Sequence, residues 1–267
     1  MKRFIPFLNS DPLVAVVRLQ GAIMANPRGT GLSDQAMAPA IERAFRRGKP
    51  AAVALAINSP GGSPVQSSLI ASRIRHLAEE KKVPVHAFVE DVAASGGYWL
   101  ACAGDRIWAD TSSILGSIGV ISAGFGFQEA IAKIGVKRRV HTAGESKAIL
   151  DPFRPEKQED VARLKALQGD IHEAFIAHVK TRRGERLSDD PELFTGAFWT
   201  GARSVELGLA DGIGHLVPKM KELFGDKTRF AVYGPKRGFF GRVGLGLASE
   251  LAGGLEERAA YARFGLS

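Results

Sequence analysis

The 267-residue chain has a single cysteine, Cys102, so it holds no internal disulfide and no thiolate metal knuckle. That excludes a disulfide-stapled secreted scaffold and a structural zinc site built from cysteines. It also lacks any apolar run near the ~20 residues that span a bilayer. The strongest N-terminal run, Leu13–Leu19, is short, β-branched and interrupted by Arg18, and it reads as a buried strand. Asn9, Ser10 and Asp11 interrupt any apolar stretch after the basic start Met1-Lys2-Arg3, so a cleaved signal peptide is not expected and the cytoplasm is the expected compartment. Several catalytic signatures are missing as well: G-x-S-x-G, S-x-x-K, the Walker A loop, G-x-G-x-x-G and H-E-x-x-H. The six histidines show no ligand spacing on one helical face, and no metal or cofactor is expected.

What is present is a core-forming composition, 45% hydrophobic, with 36 Lys and Arg against 28 Asp and Glu, a formal charge of +8. The positive balance favours anionic surfaces. Without an aromatic-basic groove pattern it does not argue for nucleic acid. Short apolar runs alternate with helical patterns, which predicts α/β architecture with helices on both faces of a sheet. Strands are expected at Leu13–Leu19, Ala52–Ile57, Val85–Val89, Arg106–Ala109 and Arg138–Thr142. Helices are expected at Asp34–Arg46, Ser63–Glu80, Ser95–Ala103, Phe127–Ile134 and Pro155–Arg182. The second helix carries its own start signal: Ser63 as cap, Pro64 where its missing N–H costs nothing, and Gln66 to complete a capping box. Composition shifts near Tyr233, giving an expected body at 1–233 and a basic, glycine-rich tail at 234–267. The tail's Phe239, Phe240, Lys236, Arg237 and Arg242 suit either packing on the body or contact with a membrane surface.

Two glycine-rich junctions carry the chemistry. Asn58-Ser59-Pro60-Gly61-Gly62 joins a buried strand to a capped helix, and Ala93-Ala94-Ser95-Gly96-Gly97-Tyr98 comes after the next strand and opens another helix. Ligands bind at this carboxyl edge in α/β folds, and Gly96 N–H with a glycine N–H of the first junction would suit a carbonyl oxyanion. The residues leave a plainer reading open, two tight turns with Ser95 as a helix cap. A serine nucleophile also needs a base. Lys147, in Ala143-Gly144-Glu145-Ser146-Lys147, is a candidate, because a desolvated lysine does this work once it gives up its proton near neutral pH.

In order and spacing these segments resemble the signal peptide peptidase A family of Ser-Lys peptidases, short form, across about Leu13–Leu216. The matching residues are Asn58–Gly62, Ala94–Tyr98, Gly116-Ser117-Ile118-Gly119-Val120, Ala143–Lys147 and the closing Phe194…Gly214. The resemblance implies a ClpP/crotonase-like fold of repeated ββα-type units with helices packed on the sheet. It implies Ser95 as nucleophile, Lys147 as general base, Ser117 orienting the lysine, and Gly62 and Gly96 as oxyanion donors. Val92 and Gly116–Val120 would wall apolar pockets. Its short-form members suggest a ring or dome whose sites combine residues of neighbouring protomers. The expected substrates are hydrophobic or unfolded peptides, signal-peptide remnants among them. Family members anchored by a transmembrane helix differ here, which leaves the cationic tail as a route to an anionic inner membrane surface. Other readings on this fold are a crotonase-type acyl-CoA enzyme, a Ser-His-Asp peptidase through His141, and a silent oligomeric scaffold.

Overall fold

The computed structural model describes residues 11–25, 31–144, 146–234 and 258–266. They form two compact units, 1–118 with 176–267, and 119–175. Most of the tail expected at 234–267 lies outside the described residues.

In the larger unit, β1 (Leu13–Gln20), β2 (Ala52–Ser59) and β3 (Val85–Ala94) pair in parallel, in the registers Val14↔Ala52 and Val53↔Val85. Their near-continuous Val, Ala, Leu and Ile content follows from burial on both faces, the usual state of parallel strands. On one face Val14, Val16, Ala54, Ala56 and Phe88 pack with Met220 of the helix Leu216–Phe224. The opposite face meets α1 (Asp34–Arg46) and α3 (Gly96–Ala101). Among the described residues the sheet has eight strands, six of them in the order β6-β5-β3-β2-β1-β8, with β5 (Ile114–Gly116), β6 (Phe198–Thr200) and β8 (Arg229–Tyr233). β4 (Arg106–Ala109) also pairs with β3, and β7 (Gly212–Ile213) pairs with β4. Only β5–β6 is antiparallel among these pairs.

The expected cap of α2 (Pro64–Lys81) forms: Ser63 Oγ accepts from Gln66 N at 3.4 Å with Pro64 in the first turn. The capping box does not close as expected. Gln66 Oε1 instead accepts from Asp34 N at 2.9 Å, and Arg73 grips Asp34 through two 2.7 Å bonds. The side chain that would have capped its own helix ties α2 to the first turn of α1, where an acceptor also satisfies an orphan donor.

The smaller unit holds α4 (Gln128–Lys133) and the start of α5 (Gln158–Arg183). Arg138–Thr142, expected as a strand, is irregular. A strand needs a ladder partner, and this unit has no other strand among its described residues. The sheet elements the sequence did not signal, β5 to β8, are two to five residues long, too short to show a period.

Candidate active site

The second glycine junction turns the chain from β3 into α3 at Ser95, whose backbone sits at φ 53°, ψ −122°. That is the first central position of a type II′ turn, a place usually filled by glycine, and a side chain there is strained by about 1–3 kcal/mol. The surroundings fix it. Ser95 N donates to Gly116 O at 2.8 Å, while Ser95 O accepts from Tyr98 N at 2.9 Å and Trp99 N at 3.1 Å. Tyr98 is fully buried, with its hydroxyl donating to Leu209 O at 2.8 Å. The Ser95 side chain, though at the helix start, makes no capping hydrogen bond. The plainer reading of this serine as a cap is therefore not realised: its half-buried hydroxyl is left for other work.

The first junction lies directly against it. A Cβ placed on Gly61 (φ 100°) would stand 2.7 Å from Ala94 O and 2.8 Å from both Gly96 N and Ser95 Cβ. Only glycine permits this approach. Ile23 secures the turn by donating to Gly61 O at 2.8 Å and accepting from Ser63 N at 2.7 Å, and Ser59 Oγ donates to Gly21 O at 2.7 Å. Gly62 N lies 3.4 Å from where a Cβ of Gly96 would be. Neither Gly62 N–H nor Gly96 N–H has an acceptor among the described residues. The two junctions thus bring a serine with an uncommitted hydroxyl beside two unpartnered amides.

Ser117 stands after β5 as Ser95 stands after β3. Ala94 and Gly116 are register partners, so the two serines stand side by side at the ends of adjacent parallel strands. Ser117 also has φ 53°, and its N–H donates to Ala197 O at 2.7 Å. Val92 and Ile118, expected to wall pockets, are fully buried. Lys147 belongs to the smaller unit. It is exposed in a turn, with its N–H 3.3 Å from Gly144 O. His141, the histidine considered as an alternative base, is exposed in that same unit. Four of the five expected site residues, Ser95, Ser117, Gly62 and Gly96, are gathered in the larger unit, and the fifth is carried by the other.

The partners in two contacts near the junctions had no signal in the sequence. His178 of α5 stacks on Trp99 at 4.7 Å and shares a 3.2 Å hydrogen bond with Trp99 O, and burial holds its pKa below the ordinary histidine value. Near the C-terminus, Tyr261 donates to Asn58 O at 2.7 Å, and Phe264 meets Phe198 edge to face at 5.2 Å. The first joins residues 79 positions apart and the Tyr261 bond residues 203 apart, beyond any periodic pattern.

Comparison with known proteins bears on the family and the fold. The sequence profile of Peptidase family S49 matches residues 77–224. The whole chain is 51% identical over 288 aligned positions to a protein of Brucella melitensis named Na(+)/H(+) antiporter NhaA, of whose length it spans 39%. It is 31% identical to Protease 4 of Haemophilus influenzae over 82% of this chain and 36% of that one. It is 30% identical to the chloroplastic serine protease SPPA of Arabidopsis thaliana over 76% of this chain and 31% of that one. The chain therefore spans about two fifths or less of each of these relatives. Among solved structures, a membrane-bound stomatin-specific protease, captured as a lysine-to-alanine mutant with a substrate peptide, shares the fold at a TM-score of 0.52 and 15% identity. It covers 88% of this chain and 97% of its own. The profile takes in Ser95, Ser117 and Lys147 and more than half of the residues, and on that ground the chain belongs to peptidase family S49, a family of serine peptidases, with the α/β fold its motifs imply.

Proposed function

We propose that this chain is a serine endopeptidase with a Ser95–Lys147 dyad. The observation that carries the reading is the strained turn at Ser95, which leaves its hydroxyl outside the helix cap and next to the free Gly62 and Gly96 N–H groups. Lys147, unprotonated, takes the Ser95 proton as Oγ attacks the scissile carbonyl. The new C–O bond moves the carbonyl electron pair onto oxygen, where Gly62 and Gly96 N–H donate to it. Collapse expels the amine, which leaves with the proton from Lys147. Water, deprotonated by the same lysine, then releases the acyl group. Ser117, beside Ser95 in register, orients the lysine.

A lysine serves as base when desolvated, and Lys147 is exposed on the unit that carries it. We therefore take the site to be completed by assembly, in a homo-oligomer whose protomers share serine and lysine. The substrates are hydrophobic or unfolded peptides, signal-peptide remnants among them. The substrate peptide held by the structural neighbour supports a peptide as the ligand class. The enzyme is placed on the cytoplasmic side, against an anionic membrane surface. The near match to a segment of a protein named for Na(+)/H(+) exchange and the formal charge of +8 support that placement. Among the described residues no helix is long and apolar enough to cross a membrane.

Hydrolysis of a short apolar fluorogenic peptide tests the dyad. Ser95→Ala and Lys147→Ala, each checked for the wild-type oligomeric mass, should each lose at least about 1,000-fold in kcat. Mixing the two inactive chains and allowing subunit exchange should restore part of the activity. Equal activity of Ser95→Ala and wild type removes Ser95 from the chemistry, and absence of rescue despite proven co-assembly removes the shared site.

A further inference from the structure

We propose that residues 258–266 are a built-in competitor for substrate, a strap that occupies the peptide groove beside Ser95 and leaves it when a peptide binds. The inference deepens the peptidase reading and rests on its peptide groove, while it is independent of the dyad. In sheet order β2, β3, β5 and β6 are consecutive, and Ser95 and Ser117 follow the two inner strands. The segment touches both outer ones. Tyr261 donates to Asn58 O, near the end of β2, and Phe264 packs edge to face on Phe198 of β6. Three strand spacings, about 14 Å, separate those strands, so the chain between the two aromatic residues crosses β3 and β5. Leu266 adds a third contact, in a cavity it lines with Glu90 and Asp91 of β3 and with Ser112 and Ser113 just before β5. Phe198 is the register partner of Gly116, which in turn is the partner of Ala94. It therefore stands two strand spacings, about 10 Å, from the residue before Ser95, the reach of three residues of an extended peptide. A peptide attacked at Ser95 and running toward β6 meets the ring that Phe264 covers.

What the segment leaves undone separates a strap from a structural brace. Asn58 O already accepts from Gly21 N at 2.9 Å, so losing Tyr261 strands no carbonyl. Phe198 remains 45% exposed even with Phe264 against it. No residue from 258 to 266 is buried, and the buried core takes no side chain from the segment. Its helical stretch, 258–262, is far shorter than a helix that holds by itself, so the helix forms by docking. The composition also fits a stand-in for substrate. Ala259, Ala260, Ala262 and Gly265 surround Tyr261, Phe264 and Leu266, which makes the segment one more small, apolar peptide of the kind proposed above. One hydrogen bond and one aromatic pair together close the groove about tenfold, enough to lower the apparent affinity for substrate without abolishing it.

Fluorescence anisotropy of a labelled apolar peptide on the full Ser95→Ala chain, which binds without cleaving, tests the strap. Adding Tyr261→Phe or Phe264→Ala should tighten binding about threefold each, and adding both about tenfold. A synthetic peptide of residues 258–267 should displace the label from the double variant. The same peptide with alanine in place of Phe264 should fail to do so at that concentration. Urea midpoints should match that of Ser95→Ala, since neither residue belongs to the core. Binding that the substitutions leave unchanged overturns the strap. Weaker binding with a lowered urea midpoint also overturns it and makes the segment a brace. A label that binds no form of the chain overturns the strap and the peptide groove together. Tighter binding in the variants, with no Ser95-dependent hydrolysis by the wild type, upholds the strap and removes the dyad.

Discussion

At Ser95 the backbone has accepted strain that a serine does not need for folding. The φ of 53° with ψ of −122° is cheap for glycine and costly for any L side chain. Ser95→Ala keeps the strain and removes the hydroxyl, whereas Ser95→Gly removes both. Ser95→Gly should therefore unfold at higher denaturant than Ser95→Ala, by about 1 kcal/mol after the extra unfolded-state entropy of glycine is deducted, with both inactive. Equal midpoints would mean that the turn is not strained. Gly62 bears the opposite constraint. A Cβ there would fall on the backbone oxygen of Ile23, at a φ of 141°. Gly62→Ala should cost about 1–3 kcal/mol in urea unfolding and about 100-fold in kcat, since the amide proposed as oxyanion donor is displaced. Cys102 shows how little the only thiol does. It is fully buried beside Tyr98, and burial pushes its pKa up to about 12. Iodoacetamide should leave the native chain unmodified and label it stoichiometrically in denaturant.

At the scale of elements, the Asp211 carboxylate is one of the ties that hold α5 to the sheet. Asp211, just before β7, pairs with Arg183 at 2.7 Å and with Arg106 and Arg186 at 3.2 Å, and it accepts from Ile107 N at 2.7 Å. The side chains of Arg183 and Asp211 are both buried. Asp211→Asn strands the Arg183 guanidinium in the interior, and removing one member of such a pair costs about 3–5 kcal/mol. Asp190→Asn, which breaks a half-exposed 3.5 Å contact with Arg203, should cost under about 1 kcal/mol. Urea midpoints of the two variants that fall together would contradict this account of how α5 is held. Such long-range ties explain what the sequence could and could not reveal. The long, periodic elements β1 to β3, α1, α2 and α5 announce themselves through local pattern and caps. The glycine junctions do so because a close approach leaves glycine no substitute. Gln66 obeyed the spacing of a capping box and still went to Asp34, because Ser63 N already donates to Ile23 O and the first turn of another helix offered an orphan donor, Asp34 N. Arg138–Thr142 had a strand's composition but no edge to join, and β5–β8 exist only because longer strands template them. That part of the tail packs on the body was one of the two readings its composition left open, while the particular partners of His178 and Tyr261 were not legible.

Across the whole molecule, acid should act in two stages, and the first reaches the support of the proposed nucleophile. Burial is the main cause that holds His178 and His86 below the ordinary histidine pKa, so both resist protonation in the folded chain. The unfolded chain binds those protons near pH 6.5, which makes stability complete above that value and declining as pH falls toward the folded pKa values. Asp211 is the opposite type of group. Burial alone would raise its pKa, but Arg183 and the Ile107 N–H outweigh it and hold the carboxyl below the usual range. Its contribution is present above the unfolded value of about 3.9 and is lost as pH drops through the lower folded value. Urea midpoints should accordingly be level above pH 7, fall gently below pH 6.5, and fall steeply below about pH 4. His178→Gln, which can still donate to Trp99 O, should shrink the first decline and leave the second. A midpoint that rises between pH 7 and 5 would refute the assignment. The first decline matters for activity because His178 stacks on Trp99, whose N–H donates to Ser95 O and helps to keep the strained turn closed. Stability and catalysis should therefore weaken together on acidification, with peptidase activity falling before the fold is lost.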